Sequence, residues 1–426
     1  MKPTKNLTLA ALSLFTLLFS AVQAHAALNI SGADGSDEVL NIGTNTVIDL
    51  SKAVTGAWDA NNNANRGKGI YDSNKWAVVF KYSSVVISNG ATVTFANHPS
   101  HAPVVWLVNG DVIIDGTVSL KGQSSVSAPG LAEPGPGGFR GGAGYYAFGV
   151  DRTSGFGPGG GAYHPADGRQ GAGASYGSQG TLGPSPYGNP SLLPLIGGSG
   201  AGGSSVYQPQ LDWGGGAGGG AILIACSGTM SIKGAIRANG GDGTTYTGSG
   251  SGGGIRLVAS SLTDNGIVEA IAGVGASYSG GLGRIRIERV VNINDNDWQV
   301  TPGASVVTLQ SGSTPLIWLP SDGPTVRIVS IGTVDAPADP RASFGTYGPD
   351  VTLPQVSTTP VVVETTNAED VSIVTVRVSP RANGNYTETT AAKDQVIRTS
   401  PLVIRWTANV PVNAGFSALQ VKVVRP

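Results

Sequence analysis

The sequence predicts an all-β chain: a right-handed parallel β-helix with a long glycine-rich insertion, followed by a small immunoglobulin-like β-sandwich. Three observations predict it. Short apolar blocks recur with a turn glycine at a nearly constant phase. Glycine makes up 65 of 426 residues, about twice its usual share of ~7%. After the first 26 residues no stretch reads as a long helix.

In chain order, a secretory leader comes first. Lys2 and Lys5 give a positive start, Leu7 to Phe19 an uncharged, mostly apolar middle, and Ala24-His25-Ala26 a small-x-small cleavage site. Residues 1–26 therefore read as a signal peptide, with Ala27 as the mature start. The apolar run is shorter than the ~20 residues that cross a bilayer, and no cysteine directly follows it for a lipid anchor. No later segment is apolar enough to span a membrane, so a secreted or surface-held product, or a periplasmic one, is expected. The formal net charge of -1 gives no footprint for nucleic acid or an acidic membrane surface. Charged residues are 12%, about half the ~25% of an average domain. The single cysteine, Cys226, allows no internal disulfide. It sits in the apolar run Ala221–Cys226 and reads as a small buried side chain.

Residues 27–334 form the expected β-helix region. Four units share a layout of strand, break, strand, x-Gly, strand. They run from Val78 to Phe95, from Val104 to Leu120, from Ile222 to Ala238 and from Ile255 to Ala270, with turn glycines Gly90, Gly116, Gly234 and Gly266. Twelve positions before each glycine stand Val78, Val104, Ile222 and Gly254, at or beside the start of each first strand. After the glycine, Val118, Ile236 and Val268 alternate with Ser119, Arg237 and Glu269, the period of a half-buried strand. The first unit is shifted by one residue, with Val93 and Phe95 in these places. A turn recurring at one phase implies coils that bury their apolar faces only by stacking. Right-handedness follows from the usual crossover preference.

Between the second and third units the spacing jumps, and residues 122–220 read as an insertion. It holds glycine runs such as Gly214 to Gly220, together with aromatics including Tyr145, Tyr146, Phe148, Phe156, Tyr163, Tyr176, Tyr187, Tyr207 and Trp213. A flexible linker would lack the aromatics. The insertion is expected to fold back over the coils, glycine allowing close backbone approach. Arg284–Glu288, Val306–Leu309 and Leu316–Trp318 are expected to close the stack. Asp335–Pro340 marks a boundary, and residues 335–426 carry short spaced strands suited to an antiparallel sandwich.

Gly215–Ile224, Ala238–Gly243, Gly252–Leu257, Gly283–Glu288, Ala77–Tyr82 and Ser31–Gly35 resemble segments of a group of glycine-rich secreted bacterial β-helix proteins. The resemblance runs from about Ile30 to Glu288. It implies the fold and no assigned activity. Surface passengers of autotransporters are similar in outline, but no C-terminal membrane barrel is apparent.

No residue is assigned a catalytic, cofactor-binding or metal-binding role. Gly173-Ala-Ser175-Tyr-Gly177 matches a nucleophile elbow, but the strand and helix that motif needs are missing around it. His98, His101, His164 and Asp167 are ligand types for a metal, yet nothing in sequence joins the two pairs. Asp111 and Asp115 would stand about 13 Å apart along one strand face at ~3.3 Å per residue. That is beyond the roughly 5–9.5 Å of glycoside hydrolysis, so Asp115 reads as a turn residue. Asp242 lies in a lone Gly-Gly-Asp-Gly that does not repeat as a calcium-binding nonapeptide would. Arg256, Arg284, Arg286, Glu269 and Glu288 read as a solvated face with cross-strand charge pairs.

The expectation is a non-enzymatic extracellular or cell-surface structural or adhesive protein without a cofactor. The alternative is a polysaccharide-binding or carbohydrate-active β-helix protein, argued from the fold alone. A cell-surface polysaccharide or another surface protein is the expected partner class.

Overall fold

In a computed structural model the chain is described over residues 27–60, 66–127, 130–144, 152–163, 170–204, 213–275, 278–292, 298–340, 348–354, 357–382 and 384–425. The expected signal peptide lies outside these residues. Among them the chain is all-β with two sheets of parallel strands, one of which also holds Ile70–Asp72 antiparallel to Ala77–Tyr82, and two antiparallel sheets, and its one helical element is a 3-10 turn at Leu50–Lys52.

The two parallel sheets are built from the repeated units. In the long, twelve-stranded sheet, Val78, Val104, Ile222, Ile255 and Ile285 stack in one row. Val85, Val112, Met230 and Leu262 stack in a second row. Four strands of the six-stranded sheet follow the turn glycines, and with Gln299–Thr301 they align Val93, Val118, Ile236, Val268 and Val300. These rows face one another and share a single core that includes Phe80, Trp106 and Leu257. The fourth first strand starts in register at Ile255, one residue later than the count back from Gly266. Gly116, Gly234 and Gly266 do form a column, but Ala91 takes the fourth place and Gly90 lies one residue off it. The shift seen in the first unit is real. Gly90 turns at φ +83° with open space around it, ahead of the column.

The outer face of the long sheet is also apolar. Val79, Val105, Leu107, Leu223 and Val258 are covered by Leu28, Ile30 and Ile317, with Trp58, Leu195 and Trp318 at the margin. Leu316–Trp318 is therefore no strand of the stack, contrary to the sequence expectation. It belongs to a strap that leaves the last parallel strand, Ser305–Thr308, and runs back across this face. Burial on both faces is what a parallel sheet requires.

The glycine-rich residues are ordered differently. Along residues 214–221 eight consecutive N–H groups donate to carbonyls of three neighbouring segments in rotation. Gly214, Ala217 and Gly220 reach Val126, Gln123 and Leu120; Gly215, Gly218 and Ala221 reach Gly142, Phe139 and Pro136; Gly216 and Gly219 reach Gly248 and Ser251. A strand alternates between two directions. A rotation of three means three residues per turn with no bond inside the segment, the polyproline II arrangement. The same rule holds nearby: Gly171 and Ala174 reach Tyr246 and Ser249, and Gly250 and Gly253 reach Gly241 and Ala238. The segments are described residues that connect successive parallel strands, within 120–220, 238–253 and 270–283. Packing this close leaves no room for side chains. A Cβ on Gly218 would stand 1.9 Å from the Gly198 carbonyl oxygen.

The antiparallel sheets form the C-terminal part. A five-stranded sheet runs Val334–Asp335, Thr325–Ile331, Thr358–Thr366, Leu402–Pro411, Ala392–Thr399, and a three-stranded one runs Thr387–Thr390, Ile373–Pro380, Ser417–Val424. They share a core of Val361, Val363, Val374, Val376, Ile404, Trp406 and Val410. The first sheet begins at Thr325, ahead of the break that the sequence marks at Asp335–Pro340.

Candidate functional site

Among the described residues, Ser175, Asp242, Asp111 and Asp115 each hold a turn, a segment or a neighbouring strand. Ser175 is fully buried; its hydroxyl donates to the Pro184 carbonyl at 2.5 Å and accepts from the Gly180 N–H at 3.1 Å. It clasps one loop of the glycine-rich bundle. Asp242 accepts from Lys121 at 2.7 Å, from the Ser124 hydroxyl at 2.9 Å and from the Val274 N–H at 2.9 Å. Burial alone would raise its pKa; the bonds to Lys121, Val274 and Ser124 outweigh it and hold the carboxyl below its ordinary value. Asp242 is thus a clip between three extended segments.

His98 and His101 sit in the connection 97–103 between the strands Thr92–Ala96 and Val104–Val108, beside the bundle. The Ser100 N–H donates to His98 Nδ1 at 3.1 Å, and the ring stacks on Tyr71 at 4.1 Å. The His101 carbonyl accepts from the Gly137 N–H. Burial, with Arg140 and His98 nearby, pushes the His101 ring down to about 3, so it is neutral at physiological pH. Its Nδ1 is buried without a partner among the described residues. His164 and Asp167 lie outside the described residues. Among those described, no group of three or more His, Cys, Asp or Glu is placed to hold a metal ion.

Asp111 and Asp115 flank the strand Val112–Ile114. Asp111 accepts from the Thr229 N–H at 2.7 Å, and Asp115 lies 4.0 Å from Lys233. Both tie the strand Val112–Ile114 to its neighbour Thr229–Ile232. Cys226 is fully buried and its thiol donates weakly to the Gly228 carbonyl at 3.7 Å. Burial, then Asp111, pushes that thiol far above its ordinary range, which removes the thiolate that reactivity requires.

The charged row is where the sequence expectation fails. Arg237 and Glu269 do form a half-exposed cross-strand pair at 2.8 Å. Arg256 and Glu288 do not face solvent. Arg256 is 2% exposed and pairs with Glu288 at 2.9 Å. Its guanidinium also donates to the Leu316 carbonyl at 2.5 Å and the Ile317 carbonyl at 3.4 Å. Glu288 binds Arg286 through the same oxygen at 3.1 Å. The strap lies over this triad, and its carbonyls complete the coordination that a buried charge requires. Arg284 donates twice to the Tyr187 carbonyl and packs on the Tyr176 ring.

Two features were missed in the sequence. Lys81 is 1% exposed, on the outer face of the long sheet, and donates to Asp34 at 3.1 Å and to the Ala60 carbonyl at 3.0 Å. Arg377 reaches from the three-stranded sheet into the glycine-rich bundle, donating to the Pro158 carbonyl at 3.2 Å and the Gly160 carbonyl at 2.8 Å. Its guanidinium lies 3.5 Å from the Tyr386 ring centre and 3.5 Å from Glu388. Beside it, the Ser154 hydroxyl donates to Asn385 and accepts from the Tyr386 N–H. An arginine between two valines of an alternating strand was the only sequence signal.

Among the described residues no helix is long and apolar enough to cross a membrane. No family model matches this chain, and comparisons with curated proteins and with solved structures find no match either.

Proposed function

We propose that this chain is an exported, non-enzymatic structural or adhesive protein. In this reading the two parallel sheets are the walls of a right-handed parallel β-helix, and the antiparallel sheets form an immunoglobulin-like sandwich fixed to it. One observation carries the proposal. Ser175, Asp242, Asp111 and the Arg256–Glu288 pair are each engaged in bonds that fasten one segment of the chain to another. Catalysis needs such groups aimed at a substrate. Arg377 joins the sandwich to the glycine-rich bundle by the same kind of bond.

The test uses the purified mature chain and a deletion strain. Loss of surface attachment on deletion, restored by the added protein, supports the proposal. Turnover of a cell-surface polysaccharide by the purified chain overturns it. A second reading, polysaccharide binding without turnover, is favoured by one local feature. Trp58 and Trp318 lie half-buried at the surface with ring centres 5.3 Å apart, and the Lys75 ammonium lies 6.0 Å from the Trp318 ring. Apolar ring faces beside a cation suit a sugar ring. Loss of glycan-array binding in Trp318→Ala would establish that reading.

A further inference from the structure

We propose that Asn89 is a site of spontaneous deamidation: its side chain closes on the Gly90 nitrogen to a succinimide, which water reopens to aspartate or isoaspartate. The chain carries five Asn-Gly pairs, at Asn89, Asn109, Asn239, Asn265 and Asn383. In an unfolded chain all five offer the same chemistry, because glycine has no Cβ to obstruct the approach to its nitrogen. The fold separates them.

Three of the glycine N–H groups are already committed. Gly240 donates to the Ile271 carbonyl at 2.9 Å, Gly266 to the Ile232 carbonyl at 2.8 Å and Gly384 to the Arg152 carbonyl at 3.3 Å. The Asn239 side chain is tied as well, its amide donating to Glu269 and its oxygen accepting from the Ile271 N–H. Asn109 and Gly110 are pinned on both sides of their shared peptide. The Asn109 N–H donates to the Tyr82 carbonyl, and the Gly110 carbonyl accepts from the Gly228 N–H. A Cβ on Gly110 would stand 2.6 Å from the Ser83 carbonyl oxygen, so this backbone has no room to turn.

Asn89 and Gly90 are exposed, and neither the Asn89 carbonyl nor the Gly90 N–H has a backbone partner among the described residues. The extra residue of the first unit is the cause. In the second and third units the pair after the strand donates twice to one carbonyl of the neighbouring strand: Asp115 and Gly116 to Ile87, Lys233 and Gly234 to Ile114. In the first unit Ser88 donates to Ile42, and Ala91 closes the turn onto the Ser88 carbonyl. Asn89 and Gly90 are left as the two central residues of a β-turn, and their shared peptide can flip without breaking a bond. Nothing lies within 4 Å of a Cβ on Gly90, so nothing obstructs the flip that brings the nitrogen to the side chain. A base from solvent takes the Gly90 N–H proton, the nitrogen bonds to Asn89 Cγ, and the Cγ–Nδ2 bond breaks with loss of ammonia. Water then adds at either ring carbonyl. The products carry a carboxylate in place of a neutral amide, and isoaspartate also lengthens the main chain by one carbon. Ser88 bonded to Ile42 and Thr92 bonded to Asn45 confine the change to the turn.

Peptide mapping by mass spectrometry tests this on the purified chain, incubated in mildly alkaline buffer either folded or unfolded in urea. Unfolded, all five asparagines are expected to react at comparable rates. Folded, Asn89 is expected to keep nearly that rate and to yield both aspartate and isoaspartate. The other four are expected to slow by roughly tenfold or more, because each must first open locally. The Asn89 rate is expected to rise with pH, since attack needs the deprotonated nitrogen. A folded chain that protects Asn89 as strongly as Asn265 overturns the proposal, and so does one in which Asn265 reacts as fast as Asn89. Conversion of Asn89 to aspartate alone also overturns it, because that is direct hydrolysis without the ring.

Discussion

In the parallel sheets the buried groups are side chains; in the glycine-rich bundle they are peptide groups. Ile236 fills space between two sheets whose backbones are held apart by such side chains. Gly218 lies where four extended segments meet, and its neighbours are carbonyl oxygens and amide nitrogens. Both residues are buried, yet they fail in opposite directions. The sheet is sensitive to losing atoms, the bundle to gaining them. Hydrophobic burial stabilises the first. The second depends on backbone hydrogen bonds, each contributing about 0.5–1.5 kcal/mol net, and on the absence of every Cβ from its closest contacts.

The largest expected effect is Gly218→Ala. The added methyl would meet Gly198 backbone at 1.9 and 2.3 Å, and neither chain can yield without breaking its own bonds. Destabilisation at or above about 3 kcal/mol, the upper end of ordinary overpacking, is expected in a urea titration. A loss under about 1 kcal/mol would mean that the bundle is loosely packed. Next is Ile236→Ala, which empties part of a fully buried row and should remove about 2–5 kcal/mol. If the two substitutions lower one shared transition, sheet and bundle unfold together; two separated transitions would show that each stands alone. The smallest effect is Gly43→Ala. Nothing lies within 4 Å of a Cβ there, so stability should change by less than about 0.5 kcal/mol. A large loss at Gly43 would show that glycine matters here for backbone freedom and not for close approach.

The two regions also differ in how far sequence reveals them. Val118, Ile236 and Val268 announce their shared row because period-two alternation and turn glycines are local signals. The one-residue offsets at Gly90 and Ile255 are not local, since register is fixed only by the neighbouring strands. The bundle left little trace. Its period of three is carried by backbone bonds, and a run such as Gly214–Gly220 has no side chains on which a period could be read. The burial of Arg256 was hidden for another reason. Its alternation with apolar neighbours places it correctly on the outer face, but the strap that covers it arrives about 60 residues later in the chain. The roles of Ser175 and Asp242 were legible only as negatives, through the missing context of their motifs.

Leu28 is bonded to Ser260 across 232 residues of chain. Synthesis from the N-terminus delivers Leu28 early and its seat late. The parallel strands can pair in sequence order, but closure of the outer face waits for the fourth unit. Contacts of such long separation slow folding, and until they form the apolar side of the long sheet stays bare. For this molecule a stretch made early is among the last to find its place.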